Sequence, residues 1–454
     1  MDIISKDIEI SGRKIRIETG KFAKQADGAA LVSCEGTSVL ATVVAADDVR
    51  QTDFLPLTVD FEERMYAAGK IPGSFFRREG RPTEGATLTA RIIDRTLRPN
   101  FDKQFRNELQ VVVTVLSTDQ ENPPDMLGII GTAAALSLCN IPFYGPLAGV
   151  RVGRVGDDWM INPTFQELKN SSMNLIVAGN RESLIMVEAG ARQVTEGEIV
   201  EGLGVGHRAI KELIEVIDEL DKEVRRGKGE KPKQQIIGDI SSFLEPRYDE
   251  AVAALIDAYK SEDAQAVAEK TEAFKQVAVD AAGAFTASER KIVGIISRIT
   301  GNTRLVKALA AEIEPEVKGG MAQSLHDASR EGLVKSERSL KRKDARKALG
   351  EPYLQKFYGL ESEVKQVLDG LEAELLRRQI LDESLRPDGR KPFQIRKITC
   401  EVGLLPQTHG SGLFTRGETQ VLTIATLGAH GEKQILDDLG IEEYKRFIHH
   451  YNFP

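Results

Sequence analysis

Cysteine is scarce in these 454 residues: Cys34, Cys139 and Cys400 lie far apart, with no Cys-x-x-Cys spacing. Neither a disulfide framework nor a zinc-type cluster follows from them, and a reducing compartment is expected. No apolar run approaches the roughly 18 residues that span a bilayer. The charged start Met1-Asp2-Ile3-Ile4-Ser5-Lys6-Asp7 lacks the apolar core of a signal peptide. These absences predict a cytoplasmic protein with no membrane partner. Walker loops and nucleophile elbows are missing too. Gly202-x-Gly204-x-Gly206 has the wrong spacing for a dinucleotide fingerprint and falls in an expected helix from Glu196 to Glu223, where glycine permits close packing. Asp47-Asp48 and Glu62-Glu63 are acidic pairs with no third metal ligand. At 41% hydrophobic content the chain is globular, and its length suggests about three domains.

What the chain does have is a concentration of arginine. Phe75-Phe76-Arg77-Arg78-Glu79-Gly80-Arg81-Pro82 sets two aromatics beside three arginines, and Gly69, Gly73 and Gly80 keep the segment in a loop. Arginine neutralises phosphate and an aromatic face stacks on any base, so the combination suits single-stranded nucleic acid. From Gly69 to Arg106 nine Lys/Arg meet four Asp/Glu, in a chain whose net charge is -8. Such a local excess points to a held anion. The alternative is a loop whose arginines pair with Glu79 and Glu84 while Phe75 and Phe76 enter the core. After it, Thr83 is placed to cap a helix ending near Leu97 and stopped by Pro99. Leu88, Ile92, Ile93 and Leu97 give it an apolar stripe. Arg91, Arg95 and Arg98 share a face and are candidate phosphate contacts, unless Arg98 pairs with Asp94.

The run Tyr66-Ala67-Ala68-Gly69-Lys70-Ile71-Pro72-Gly73-Ser74, with the Phe-Phe-Arg-Arg loop after it, resembles the first core domain of the polynucleotide phosphorylase family. Leu97-Arg98-Pro99, Val177-Ala178-Gly179, Arg386-Pro387-Asp388-Gly389-Arg390 and Thr415-Arg416-Gly417-Glu418-Thr419-Gln420 continue that resemblance in the family's order. It implies an α+β fold of ribonuclease PH-like domains around a helical insert. It also implies a phosphate-dependent 3′-to-5′ exoribonuclease that releases nucleoside diphosphates and takes part in mRNA degradation. Mg2+, inorganic phosphate, single-stranded RNA, a homotrimeric ring and RNA-degradation complex partners are implied with it. In that ring Phe75, Phe76, Arg77, Arg78 and Arg81 would line a constriction that threads RNA.

An internal repeat supports duplicated core domains. Gly12-Arg13-Lys14 answers Gly389-Arg390-Lys391, Thr37-Ser38-Val39-Leu40 answers Thr419-Gln420-Val421-Leu422, and Val59-Asp60-Phe61 answers Tyr451-Asn452-Phe453. The expected division is residues 1–145 and 146–235 for the two parts of the first core, 236–380 for the helical domain, and 381–454 for the opening of a second core. That second copy stops early, so the chain is expected to be a fragment or a truncated frame. Lys228-Gly229-Glu230-Lys231-Pro232-Lys233 reads as a linker. Beyond it the pattern is helical, as in Val252, Leu255, Ile256 and Tyr259, with Pro315, Gly319-Gly320 and Pro352 as expected breaks. Lys335 to Lys347 carries seven basic residues and two acidic ones; a solvated helix face is favoured there over an RNA contact.

A phosphate site often sits at a helix start. The comparable helix here begins near Pro123-Pro124-Asp125-Met126, with Asp125 as the expected cap, and a carboxylate there repels phosphate. The family's active copy carries a serine-rich loop at this place. Its two metal-binding aspartates correspond to Leu168 and Asn174, a poor set for magnesium. The first unit is therefore expected to bind RNA without catalysis, with no catalytic or metal residue within the chain and the Mg2+ ligands beyond Pro454. Arg416 could reach substrate phosphate or pair with Glu418. His409 lies near it in the second copy, and His449 and His450 alternate on an expected strand. Three readings follow: the N-terminal portion of a phosphorolytic nuclease, a non-catalytic RNA-binding or ring-forming module, or a scaffold whose arginines hold acids or a small anion.

Overall fold

Alternation of buried and partly exposed positions marks the strands of the first sheet. Its strands are Ile4–Ile10 (β1), Arg13–Thr19 (β2), Gly28–Cys34 (β3), Thr37–Val49 (β4), Leu57–Glu63 (β5) and Asn107–Ser117 (β6). They lie in the order β1-β2-β3-β4-β6-β5, antiparallel throughout except for the parallel β5–β6 pair. Every second residue of β3 is buried, which fixes its register. The computed structural model describes residues 3–50, 52, 54–72, 77–286, 289–329, 333, 335–436 and 443–451.

Two helices serve this sheet. Glu84–Leu97 (α1) is capped by Thr83, whose side chain accepts from the Ala86 amide. Pro124–Leu138 (α2) is apolar nearly all round and correspondingly buried nearly all round. It approaches β3 so closely that a Cβ on Gly28 would lie 2.1 Å from the Ala135 carbonyl oxygen.

A second sheet follows, built from Ala148–Val155 (β7), Asp158–Ile161 (β8), Met173–Gly179 (β9) and Leu184–Ala191 (β10), in the order β10-β9-β7-β8. Phe165–Asn170 (α3) and Glu196–Lys228 (α4) accompany it. Thr195 and Glu198 form a capping box that starts α4. Gly202 and Gly206 let the helix approach the sheet, since a Cβ on either would come within 3.0 Å of Trp159 or Val152. Their spacing serves packing, as the sequence suggests.

The expected linker is not a free tether. Gly229, at φ 68°, ends α4, and the chain re-enters a helix at Lys233. Lys233 is buried and donates to the Leu136 carbonyl at 2.9 Å. Burial pushes its ammonium pKa down. Buried Arg225 donates to the next carbonyl, Ser137, at 3.3 Å. Both cations therefore satisfy the last-turn carbonyls of α2, a favourable place for positive charge.

The helical stretch comprises Lys233–Lys260 (α5), Ala264–Ala284 (α6), Arg290–Ala328 (α7), Lys335–Lys356 (α8) and Glu361–Asp382 (α9). By its contacts the chain divides into one unit of Met1–Glu245, Ala278–Thr300 and Leu436–Glu443, and another of Pro246–Val277, Gly301–Ile435 and Tyr444–Pro454. Helices α5, α6 and α7 are thus divided between the units, while α8 and α9 belong to the second. In the second unit Val252, Leu255, Ile256 and Tyr259 are buried in one core with Leu305, Leu309, Ile313, Val317, Met321 and Leu325. Pro315 and Pro352 lie inside α7 and α8, not at the breaks the sequence suggests. An internal proline costs about 3 kcal/mol; in α7 the apolar stripe at four-residue spacing runs through it and offsets that cost.

Ile398–Val402 (β11), Gly410–Arg416 (β12) and Thr419–Ala425 (β13) form a three-stranded sheet, and Gln434–Leu436 (β14) pairs with Glu443–Lys445 (β15). The repeat is visible in the turns: Cys34 faces Thr37 across β3–β4, and Arg416 faces Thr419 across β12–β13. Phe414, Val421 and Ile424 are exposed. Among the described residues His449 and His450 lie in irregular backbone past β15, not in the expected strand. Among the described residues no helix is long and apolar enough to cross a membrane.

Candidate nucleic-acid interface

The arginine loop leaves the end of β5 and returns to it. A 3₁₀ turn, Met65–Ala68, opens it and is closed by Gly69 at φ 70°. The Met65 amide donates to Glu79 Oε1 at 3.0 Å, joining the loop's root to its far side. Thr83 Oγ1 then donates to Glu63 Oε2 at 2.5 Å, fixing the exit beside the end of β5. These two bonds tie the described ends of the loop beside the end of β5.

Arg77, Arg78 and Arg81 are exposed on this loop and have no ion pair among the described residues. Glu79, which could have neutralised them, is committed to backbone. Arg77 holds a left-handed φ of 49°, uncommon for a residue with a side chain. Phe75 and Phe76 lie outside the described residues. Sequence reasoning missed the exposed apolar residues around the loop: Tyr66 is 57% exposed, Ile71 73% and Leu88 49%. The signal for Leu88 was its position beside the Arg91 and Arg95 face. The helix buries Ala86, Thr89, Ile93 and Thr96 instead, which turns Leu88 outward.

The α1 arginines separate. Arg91 is exposed and has no ion pair among the described residues. Arg95 pairs with Glu188 at 3.4 Å. Arg98 is structural: it pairs with Asp94 and donates to the carbonyls of Leu55 at 2.8 Å and Leu57 at 3.3 Å. The single anion-facing row expected of Arg91, Arg95 and Arg98 is therefore not assembled. Arg416 is exposed at the end of β12. His409 Nδ1 accepts from the Leu427 amide at 2.8 Å, a local structural bond.

At the start of α2, Pro123 occupies the cap position and Asp125 lies two residues on, in the first turn. The expected cap is thus corrected, because the Asp125 carboxylate pairs with Arg151 of β7. The same guanidinium donates to Asn174 Oδ1 at 3.0 Å. Where the resemblance places a metal between carboxylates, this unit holds an arginine bridging an acid and an amide. The nearest acid in sequence to Leu168, Glu167, pairs with Arg13 at 3.6 Å and accepts from Thr164. Burial opposes the charge on Glu167, but the Thr164 hydrogen bonds and Arg13 hold its carboxyl below the usual range. These residues do not fit a magnesium ion, since an internal cation already occupies the ligand set.

Comparison with known proteins agrees with this architecture. The model of the 3′ exoribonuclease family, domain 1, matches residues 11–142 and again 394–454. The model of domain 2 of that family matches residues 145–209. Together they match more than half the chain. The RNA binding domain of polyribonucleotide nucleotidyltransferase matches residues 312–391. Among curated relatives, the polyribonucleotide nucleotidyltransferase of Desulforamulus reducens is 41% identical, covering 100% of this chain and 52% of its own. That of Thermomicrobium roseum is 44% identical over 100% of this chain and 49% of its own. That of Bacillus subtilis is 41% identical over 98% and 53%. The chain spans about half the length of the curated relatives it matches. It belongs to the 3′ exoribonuclease family, as a relative of the polyribonucleotide nucleotidyltransferases.

Proposed function

We propose that this chain is the RNA-holding portion of a phosphate-dependent 3′-to-5′ exoribonuclease acting on single-stranded RNA. In that reaction a phosphate oxygen attacks the terminal phosphodiester phosphorus. The bond from that phosphorus to the 3′ oxygen of the preceding nucleotide breaks, and a nucleoside diphosphate leaves; the reverse reaction extends the strand. Magnesium with ligands outside this chain, a homotrimeric ring, RNA-degradation complex partners, cytoplasmic location and a role in mRNA degradation belong to the same proposal.

The observation that carries it is the group of exposed, unneutralised guanidiniums of Arg77, Arg78 and Arg81 on a loop tied at both ends. Contacts from arginine to phosphate hold a strand without reading its sequence, as a processive enzyme requires. Tyr66 offers a face for sequence-tolerant stacking. The bridge from Arg151 to Asp125 and Asn174 favours a binding rather than a catalytic role for the first core domain. The test is the affinity for poly(A) as a function of salt. Three phosphate contacts predict a slope of log K against log salt of about −2 or steeper; a flat profile contradicts the proposal.

A further inference from the structure

We propose that the second unit contains a separate ribose-phosphate site, formed by Arg338, Arg342, Arg386, Asp388, Arg390 and Arg396. These residues line one cavity of about 330 Å³. Arg338 and Arg342 stand four residues apart on α8 and so share a face. Opposite them, the Arg386–Arg390 turn is closed by the Arg386 amide donating to the Arg390 carbonyl at 2.9 Å, with Gly389 at φ 81°. Arg396 packs against the β12–β13 turn, where a Cβ on Gly417 would lie 3.1 Å from its Cδ.

The charge in this cavity is not balanced from within. Arg390 is bound to Asp388 at 2.9 Å, and Arg338 donates to the Leu333 carbonyl. Arg342 and Arg396 have no side-chain hydrogen bond or ion pair among the described residues, and Arg386 has only a longer-range attraction to Asp388. Arg342 Nε is also buried without an acceptor. A buried donor left unmade destabilises a fold, so its retention points to a ligand that supplies the acceptor. Asp388 Oδ1 is buried without a donor. Burial opposes the Asp388 charge, but Arg390 and then Arg386 hold its carboxyl below the usual range, so that oxygen remains an acceptor. Guanidiniums that need anionic oxygen, beside a carboxylate that needs a hydroxyl, match a sugar phosphate. Among the described residues no aromatic side chain lines the cavity, so it is suited to backbone and not base.

This also revises the basic stretch of α8. Arg346 pairs with Asp369 and Glu372 of α9, while Arg338 and Arg342 turn to the cavity, so the stretch is not simply a solvated face. The signal in the sequence was the four-residue spacing of Arg338, Arg342 and Arg346.

The ribose phosphate could belong to an RNA strand or to a free nucleoside diphosphate. The RNA source rests on the RNA-binding reading above; the nucleotide source does not. The experiment uses the full chain carrying R342Q/R386Q, titrated with oligo(A) RNA across salt, with the matching DNA, and with ADP. Neither side chain has a hydrogen bond or ion pair among the described residues, so thermal unfolding should change little, and R342K/R386K should restore most of the binding. With an RNA occupant, the salt slope for RNA falls by about 1.4, and the preference for RNA over DNA shrinks. With a nucleotide occupant, ADP affinity falls at least tenfold while the RNA slope stays. Either result supports the site. Unchanged binding of both ligands by a folded variant overturns it. Measuring R77A/R78A alongside separates failure of the loop from failure of this cavity.

Discussion

Replacing Arg77 and Arg78 by alanine should weaken poly(A) binding roughly tenfold or more at physiological salt and reduce the salt slope by about 1.4. The loss should be uniform across base composition, because phosphate contacts carry no sequence information. Stability should hardly change: both side chains are exposed and neither has an ion pair among the described residues to lose. Arg98→Ala is the internal control. Its guanidinium is bound to Asp94 and to the carbonyls of Leu55 and Leu57, so this change should lower stability while leaving the salt slope intact. Equal slopes for wild type and R77A/R78A would remove the loop from the RNA site. A reduced slope in Arg98→Ala would mean that the α1 face contributes after all.

The loop was legible in the sequence because its chemistry is local: residue types, glycines and a helix cap stand within a few positions of one another. Thr83 begins α1 as the sequence predicts, and the two halves of the repeat recur as matching turns. What the sequence did not give away depends on partners far along the chain. Arg98 is structural because the start of β5 and the residues just before it bring the Leu57 and Leu55 carbonyls to it. Asp125 is drawn from a capping role by Arg151, which lies 26 residues away on the second sheet. The segment around Gly229 reads as a linker because lysine, glycine and proline dominate it, yet Lys233 and Arg225 bind the end of α2. Pro315 sits inside a helix because packing along α7 outweighs the local preference.

Arg225→Ala should be among the most destabilising single changes in the first unit. Arg225 is 2% exposed. It donates to Asp221 at 2.8 Å, to Asn140 at 3.1 Å and to the Ser137 carbonyl, and lies 3.5 Å from Glu230. Removing it leaves an acid and a helix-end carbonyl buried without their cation, a loss of about 3–5 kcal/mol. Against a typical stability of roughly 5–15 kcal/mol, that approaches global unfolding. The pH dependence follows from Asp221. Burial already pushes its carboxyl above the ordinary value of 3.8, against the pull of Arg225. Without Arg225 it rises further, so the folded variant binds a proton that the unfolded chain does not. Its stability should then fall as pH rises from 3.8 through the raised pKa. The deficit relative to wild type, read by urea unfolding, should be smaller near pH 4 than at neutrality. Adding Asp221→Asn should recover part of the loss at neutral pH; no recovery would mean that packing, not the unpaired charge, sets the cost.

The central claim is that this chain holds single-stranded RNA while its first core domain does no chemistry. It is tested most directly by incubating the purified chain with single-stranded RNA, magnesium and inorganic phosphate, following RNA retention and nucleoside diphosphate release in one sample. RNA retained with no diphosphate released is the expected result. Phosphate-dependent release would contradict the account and make the Arg151, Asp125 and Asn174 region the first place to look for a catalytic site.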